Sequence, residues 1–130
     1  MVVKITPELQ HILAMPDNRD VAQPLLQYFR VLSPGRYLKR WRRRLTEEGF
    51  SREDALIISY GSFGFDRDER TFGVEAVLTN DLNMKERYER GYPRIQERFE
   101  RMTRQLKSPY RQTALPEIRG PEELLAQLTL

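Results

Sequence analysis

The sequence contains no cysteine and only one histidine, His11. The lack of cysteine excludes disulfides, zinc–thiolate sites and a thiol nucleophile. A single histidine argues against a histidine-rich metal site and against a histidine-based catalytic triad. We therefore expect His11 to be a packed or surface residue rather than a metal ligand.

Long apolar runs are also lacking, and none approaches the ~20 residues that a membrane-spanning helix needs. No signal peptide is visible either. We expect no membrane contact and a cytoplasmic location. The 130 residues are 39% hydrophobic and 32% charged, which predicts a single domain over residues 1–130 with one core. The net charge of +3 is small, but the basic residues are clustered.

Short strand-like segments alternate with helix-like segments along the chain. Thr6 followed by Pro7 predicts the start of a first helix. Ser51 is the expected cap of a later helix, and the body of that helix, "ALIISYGSF", is so apolar that it should be buried on most sides. The run "VEAVLT" (74–79) is typical of a strand buried on both faces of a parallel sheet. The alternation predicts an α/β domain with a mainly parallel sheet.

The remaining segments give weaker signals. We expect a helix over residues 21–29, limited by a proline, then a strand at "FRVL" and a turn at "SPG". The segment "GFDRDERTFG" (64–73) reads as a polar loop. A helix is predicted to open at Tyr92–Pro93, and the tail should be a short extended piece followed by a helix from Pro121.

Two aspartates lie at the edges of apolar segments. Asp81 follows the predicted strand, and ligands of open parallel sheets bind beyond the carboxyl ends of the strands. Asp54 lies in the first turn of the apolar helix, where the positive end of the helix stabilises a carboxylate. If that helix begins at the same edge, the two carboxylates face each other and a divalent cation relieves their repulsion. Alternatively, Asp54 is only a capping residue and Asp81 only a turn residue.

The segments "SREDALIISYGSF" and "FGVEAVLTNDLNM" resemble the second half of a PIN domain. In that family an aspartate opens a buried helix of the "DALIIA-A" type, and an apolar strand ends in "VTND" or "LTND". The segments "VVKITPELQHIL" and "IRGPEELLAQL" resemble neighbouring parts of the family. The resemblance implies a three-layer α/β/α sandwich with a short, mainly parallel sheet. It also implies Mg²⁺- or Mn²⁺-dependent endoribonuclease chemistry, often within a toxin–antitoxin pair.

On this resemblance, Asp54 and Asp81 are the catalytic and metal-binding residues. Thr79 and Asn80 match the same motif and are expected to contact a phosphate or a water. RNA is then the expected substrate, and an antitoxin-like protein is a further expected partner.

The sequence departs from the PIN pattern in two places. It has no counterpart of the family's first strand with its "DTN" aspartate, so the resemblance is to an N-terminally truncated domain. The family's second acid aligns at His11 or Ile12. With this incomplete acidic site, the alternative to a nuclease is a catalytically inactive interaction or RNA-binding module. Because the missing strand would lie at the centre of the sheet, we expect a second copy of the chain to cover the gap as a homodimer.

A basic cluster surrounds Tyr37 and Trp41 in the segment "RYLKRWRRR". Its members are Arg36, Lys39, Arg40, Arg42, Arg43 and Arg44. One hypothesis is a nucleic-acid-binding patch that follows phosphates and stacks aromatics on bases. The other is an amphipathic helix with a core tryptophan and a solvated basic face, partly paired with Glu47 and Glu48. We favour a core position for Trp41 because it shares a helical stripe with Leu38 and Leu45.

The acidic residues Asp66, Asp68 and Glu69 are expected to solvate a loop, or else to add one member to the acidic pair. The alternating charges of "KERYERGYPRIQERFERMTRQLK" are typical of a solvated helix face.

Overall fold

The computed structural model describes residues 3–120 and 122–123, apart from the side chain of Leu25. Over these residues the protein is a mixed α/β structure with short parallel and antiparallel sheets. Its helices are α1 (Pro7–Leu13), α2 (Arg19–Ala22), α3 (Leu38–Glu47), α4 (Arg52–Phe63), α5 (Leu82–Arg90) and α6 (Tyr92–Thr103). Short 3₁₀ turns lie at Pro16–Asn18, Gln23–Tyr28 and Tyr110–Gln112. No helix in this part of the chain has the length and apolar character needed to cross a bilayer.

The strands form three separate small sheets among the described residues. They are β1 (Val3–Ile5), β2 (Phe29–Val31), β3 (Ser33–Pro34), β4 (Gly64–Asp66), β5 (Thr71–Phe72), β6 (Ala76–Leu78) and β7 (Glu117–Arg119). β1 pairs in parallel with β2, and β6 pairs in parallel with β7. Between them in sequence, β3, β4 and β5 form an antiparallel sheet.

The core lies where α3 and α6 pack with α4. Leu38, Trp41 and Leu45 form the buried stripe of α3, and α4 is buried along most of its second half. The Trp41 ring meets the Phe99 ring of α6 edge-on, with centroids 5.1 Å apart. Trp41 is only 1% exposed, so its predicted core position is confirmed.

The helix starts predicted at Thr6, Ser51 and Tyr92–Pro93 are confirmed. The Thr6 hydroxyl accepts a hydrogen bond from the backbone N–H of Leu9 at 3.1 Å, and Pro7 occupies the first helical position. The Ser51 hydroxyl accepts the backbone N–H of Asp54 at 3.1 Å. These bonds satisfy backbone donors that have no partner within the helix.

The predicted helix over residues 21–29 is wrong. Residues Arg19–Ala22 form the short helix α2, and Gln23–Tyr28 form a 3₁₀ turn. Pro24 explains the break, because proline lacks a backbone N–H and disfavours helical geometry in the residue before it. The expected strand after it is confirmed as β2, whereas part of the expected "SPG" turn is the strand β3.

The predicted polar loop over residues 64–73 is instead a hairpin of β4 and β5. Its turn is held by Asp66, whose carboxylate accepts the backbone N–H groups of Asp68 and Glu69 at 3.0 and 3.1 Å. Arg70 adopts a positive φ of 57° in this turn. A local carboxylate thus satisfies the turn backbone and permits the chain to reverse.

The strand β6 is buried on one face only. Val77 packs toward α4, but Leu78 remains 49% exposed. The expectation of burial on both faces is therefore wrong, because the described residues cover only the face toward α4. The extended tail is confirmed as β7, and the helix expected from Pro121 lies largely outside the described residues.

Candidate functional site

Asp54 is held at the first turn of α4. Its backbone N–H is bonded to the capping hydroxyl of Ser51, and its side chain is half-buried. This position results from the local sequence, since serine followed by acidic residues is a strong helix start.

Asp81 is the N-cap of α5, and not a plain turn residue. One of its carboxylate oxygens accepts the backbone N–H of Met84 at 3.1 Å. The hydroxyl of Thr79, expected to contact phosphate or water, instead accepts the backbone N–H of Asp81 at 2.9 Å. Asn80 lies between them and is exposed. The capping bond uses one oxygen of Asp81, and the second oxygen accepts no hydrogen bond from the described residues.

In the folded protein, the charge of Asp81 acts on the carboxyl group of Asp54. Burial raises the pKa of Asp54, and the negative charge of Asp81 raises it further. The hydroxyl of Ser51 and the charge of Arg87 act in the opposite direction without cancelling this effect. The carboxylate of Asp54 is thus crowded by a like charge, and a proton or a cation would relieve the repulsion.

The donor set of this acid pair fits a hard divalent cation. Mg²⁺ prefers oxygen ligands and commonly takes only one or two carboxylates from the protein, with water and phosphate completing its shell. Across residues 3–120 and 122–123, however, no three acidic or histidine side chains cluster in a way that could hold a metal.

The three acidic residues of the β4–β5 hairpin do not add a further carboxylate to the pair of Asp54 and Asp81. Asp66 and Glu69 form ion pairs with Lys4 and Arg30, and Asp68 reaches Arg30 at 4.0 Å. Asp66 was expected either to solvate a loop or to join the acidic pair. It does neither, because it is buried and anchors the sheet of β1 and β2.

The predicted basic cluster lies along α3 and the turn before it. Arg36, Lys39, Arg40 and Arg43 are exposed, while Arg42 and Arg44 are half-buried. Arg36 and Arg40 both approach the ring of Tyr37, at 5.6 and 5.2 Å from its centroid. The structure thus places the members of the cluster on one helix and its entry.

Glu47 and Glu48 do not pair with the arginines of α3. Glu48 instead accepts hydrogen bonds from Arg94 and Arg98 of α6, at 3.1 and 2.9 Å. Glu47 accepts a further bond from Arg98 at 3.2 Å. These bonds tie α3 to α6 and leave the arginines of α3 without those carboxylates.

A groove of about 430 Å³ runs between α3 and α6, and we call it the arginine groove. Its lining residues are Arg40, Arg43, Arg44, Glu47, Arg98 and Arg101. The sequence-based prediction missed the two residues from α6. Their spacing of three positions on a helix places them on one face, which is the signal that could have found them.

Comparison of the chain with protein-family models, with curated proteins and with solved structures finds no match.

Proposed function

We propose that the protein is a PIN-like domain in which Asp54 and Asp81 bind one Mg²⁺ or Mn²⁺ ion and act on the phosphodiester backbone of RNA. The observation that carries this proposal is that the negative charge of Asp81, 27 positions further along the sequence, raises the pKa of Asp54. Both occur at the start of a helix, where backbone N–H groups fix their positions.

The two parallel strand pairs support a three-layer arrangement. In that proposal the pairs β1–β2 and β6–β7 are two parts of one parallel sheet, with helices on both faces. β1 pairs only with β2, and β6 only with β7, among the described residues. In this proposal the position between β1 and β6 is open to a further strand.

In this proposal the residues of the chain have distinct roles. Asp54 and Asp81 would hold the cation, and Asn80, exposed beside Asp81, would contact a phosphate oxygen. Thr79 would act indirectly, since its hydroxyl fixes the backbone of Asp81. A bound divalent ion supplies a water of lowered pKa and stabilises charge on the phosphate oxygens.

Mn²⁺ binding followed by calorimetry tests the cation site. We expect one weak site, with a Kd on the order of 1 mM, that the variant Asp81→Asn loses. Asp17→Asn removes an exposed carboxylate elsewhere and should leave binding unchanged. If wild type and Asp81→Asn bind Mn²⁺ equally, or if neither binds it at higher concentrations, the proposal is wrong.

Catalysis is tested separately with a labelled single-stranded RNA. Cleavage that requires Mn²⁺ and is lost in Asp81→Asn is the expected result for a nuclease. Mn²⁺ binding without cleavage would instead favour a catalytically inactive module.

A second candidate is that inactive module, acting as a homodimer or with an antitoxin-like protein partner. It is favoured by the large apolar side chains that the segment 9–28 exposes: Leu9, Ile12, Met15, Val21, Leu26 and Tyr28. The edges of β1 and β6, which no strand of the described residues covers, are a further reason to expect a partner chain. Sedimentation velocity tests this candidate, which predicts a dimer at micromolar concentration.

A further inference from the structure

We infer that the arginine groove binds the phosphate backbone of a nucleic acid strand, without reading its bases. This inference goes beyond the proposed cation site because it involves none of its residues and needs no metal. It rests on four properties of the groove: uncompensated charge, mutual crowding of the guanidiniums, length, and the lack of exposed aromatic rings in its lining.

Three guanidiniums of the groove lack a carboxylate partner. Within the described part of the chain, Arg40, Arg43 and Arg44 form no ion pair, whereas Arg98 is bound by Glu47 and Glu48. Arg101 is paired with Glu97 on its own helix at 2.7 Å. Glu47 and Glu48, at the end of α3, therefore bind α6, and the positive charge of α3 remains for an external anion.

The guanidiniums also crowd one another. Burial lowers the pKa of Arg44, and the positive charges of Arg98, Arg40 and Arg101 lower it further, although Glu47 opposes them. Like charges held this close are stabilised when a multivalent anion binds between them.

The row of guanidiniums along α3 is longer than one phosphate group. Arg40 to Arg44 spans about 6 Å along the axis of α3, and the neighbouring helix α6 adds charge across the groove. Arg36 continues the row, because it approaches the same Tyr37 ring as Arg40. A chain of successive phosphates matches such a row better than one isolated phosphate.

The aromatic residues of this segment are engaged in packing within the protein. Trp41 is buried against Phe99. Tyr37 is half-buried and packs against Tyr110, with ring centroids 4.8 Å apart. The base-stacking hypothesis is therefore wrong for Trp41, and Arg36 and Arg40 approach the ring of Tyr37. Contacts from arginine to phosphate alone give binding that is independent of sequence and strongly dependent on salt.

Fluorescence anisotropy with two unrelated single-stranded RNA 20-mers tests this inference. We expect the wild type to bind both RNAs with similar affinity. The double variant Arg40→Gln/Arg43→Gln should lose on the order of tenfold in affinity and about 1.4 in the slope of log K against log salt, since each phosphate contact contributes ~0.7. Both positions are exposed, so the variant should fold normally.

The matched control is Arg67→Gln/Arg90→Gln, which removes the same charge from exposed positions outside the groove. Its affinity should stay close to that of the wild type. Equal losses in both double variants, or no loss in the groove variant, would overturn the inference. So would a strong preference for one RNA, or competition by poly-glutamate as effective as competition by unlabelled RNA.

These outcomes are separable from those of the cation site. The groove variant should bind Mn²⁺ like the wild type, and the wild type should bind RNA equally well with and without EDTA, because the groove needs no metal. Loss of RNA binding in EDTA, with no loss in the groove variant, would count against the groove.

Discussion

Asp66 is 2% exposed, yet it is bound as a charged carboxylate. Burial would raise its pKa, but the backbone N–H groups of Glu69 and Asp68 and the ammonium of Lys4 overcome this effect, so the pKa is lowered overall. Lys4 lies 3.2 Å and Arg30 3.4 Å from the same carboxylate oxygen. One side chain therefore joins the sheet of β1 and β2 to the β4–β5 hairpin.

Removing this charge should destabilise the protein. We expect Asp66→Asn to lower the free energy of unfolding by about 2 kcal/mol, because hydrogen bonds to a charged group are lost and two cations lose their partner. The exposed neighbour Asp68 is the matched control, and Asp68→Asn should change stability by less than about 0.5 kcal/mol. Urea denaturation measures both. Equal effects would contradict the anchoring role of Asp66.

The same residue predicts acid sensitivity. A carboxylate whose pKa is lower in the folded state stabilises the fold above its unfolded pKa of about 3.9, and this contribution disappears as pH falls through the folded pKa. We expect the difference in stability between wild type and Asp66→Asn to be constant from pH 7 to about pH 5 and to shrink below about pH 4. Urea denaturation at several pH values measures it, and a difference that persists at the lowest pH would contradict this assignment.

At the scale of elements, other segments pack closely on α4, because the helix surface at Gly61 carries no side chain. A Cβ at Gly61 would lie 2.4 Å from Cγ of Pro116 and 3.2 Å from Cγ2 of Val77. The absence of a side chain at Gly61 thus permits β6 and the segment before β7 to approach the helix. This contact holds β6, which leads toward Asp81, against α4.

Gly61→Ala should therefore destabilise the protein by about 2 kcal/mol, since overpacking outweighs the better helix propensity of alanine. Gly120→Ala is the control, because nothing lies within 4 Å of a Cβ there. That variant should be neutral or slightly stabilising. Thermal and urea unfolding measure both variants. A neutral Gly61→Ala would show that α4 and Pro116 can separate without loss.

Sequence patterns were most reliable for elements whose signals are local. The caps at Thr6 and Ser51, the buried stripe of α3 and the buried helix α4 follow from residues within a few positions of each other. The β4–β5 hairpin was missed because its strands are only two or three residues long and the turn between them is polar. Pairing of β4 with β3 on one side and with β5 on the other, rather than local propensity, makes those residues extended.

At the scale of the whole molecule, the distribution of surface chemistry is uneven. Exposed apolar side chains concentrate in the segment 9–28, which adjoins a cavity of about 260 Å³ over the sheet of β1 and β2. Arg40, Arg43 and Arg44, which form no ion pair within the described residues, line the arginine groove. Such a division is expected of a protein that has separate surfaces for a protein partner and for a polyanion.

The dimer proposed as the second candidate is tested by disrupting the apolar surface. We expect Leu9→Ser/Ile12→Ser to weaken self-association by at least about tenfold, because two exposed apolar side chains are lost from each copy. Leu82→Ser removes an exposed apolar side chain outside this segment and should leave the association constant unchanged. Sedimentation velocity over a concentration series gives the constants. A wild type that remains monomeric would exclude this dimer.

The sequence by itself determined the helix starts, the buried faces of α3 and α4, and the placement of two aspartates beside a strand end and a helix start. It did so because each depends on neighbouring residues and on helical or strand periodicity. Only the tertiary structure decided that Glu48 binds α6 rather than α3, that Asp66 is a buried anchor, and that Arg98 and Arg101 complete the arginine groove. Those features depend on contacts between segments far apart in the chain, for which one sequence contains no local signal.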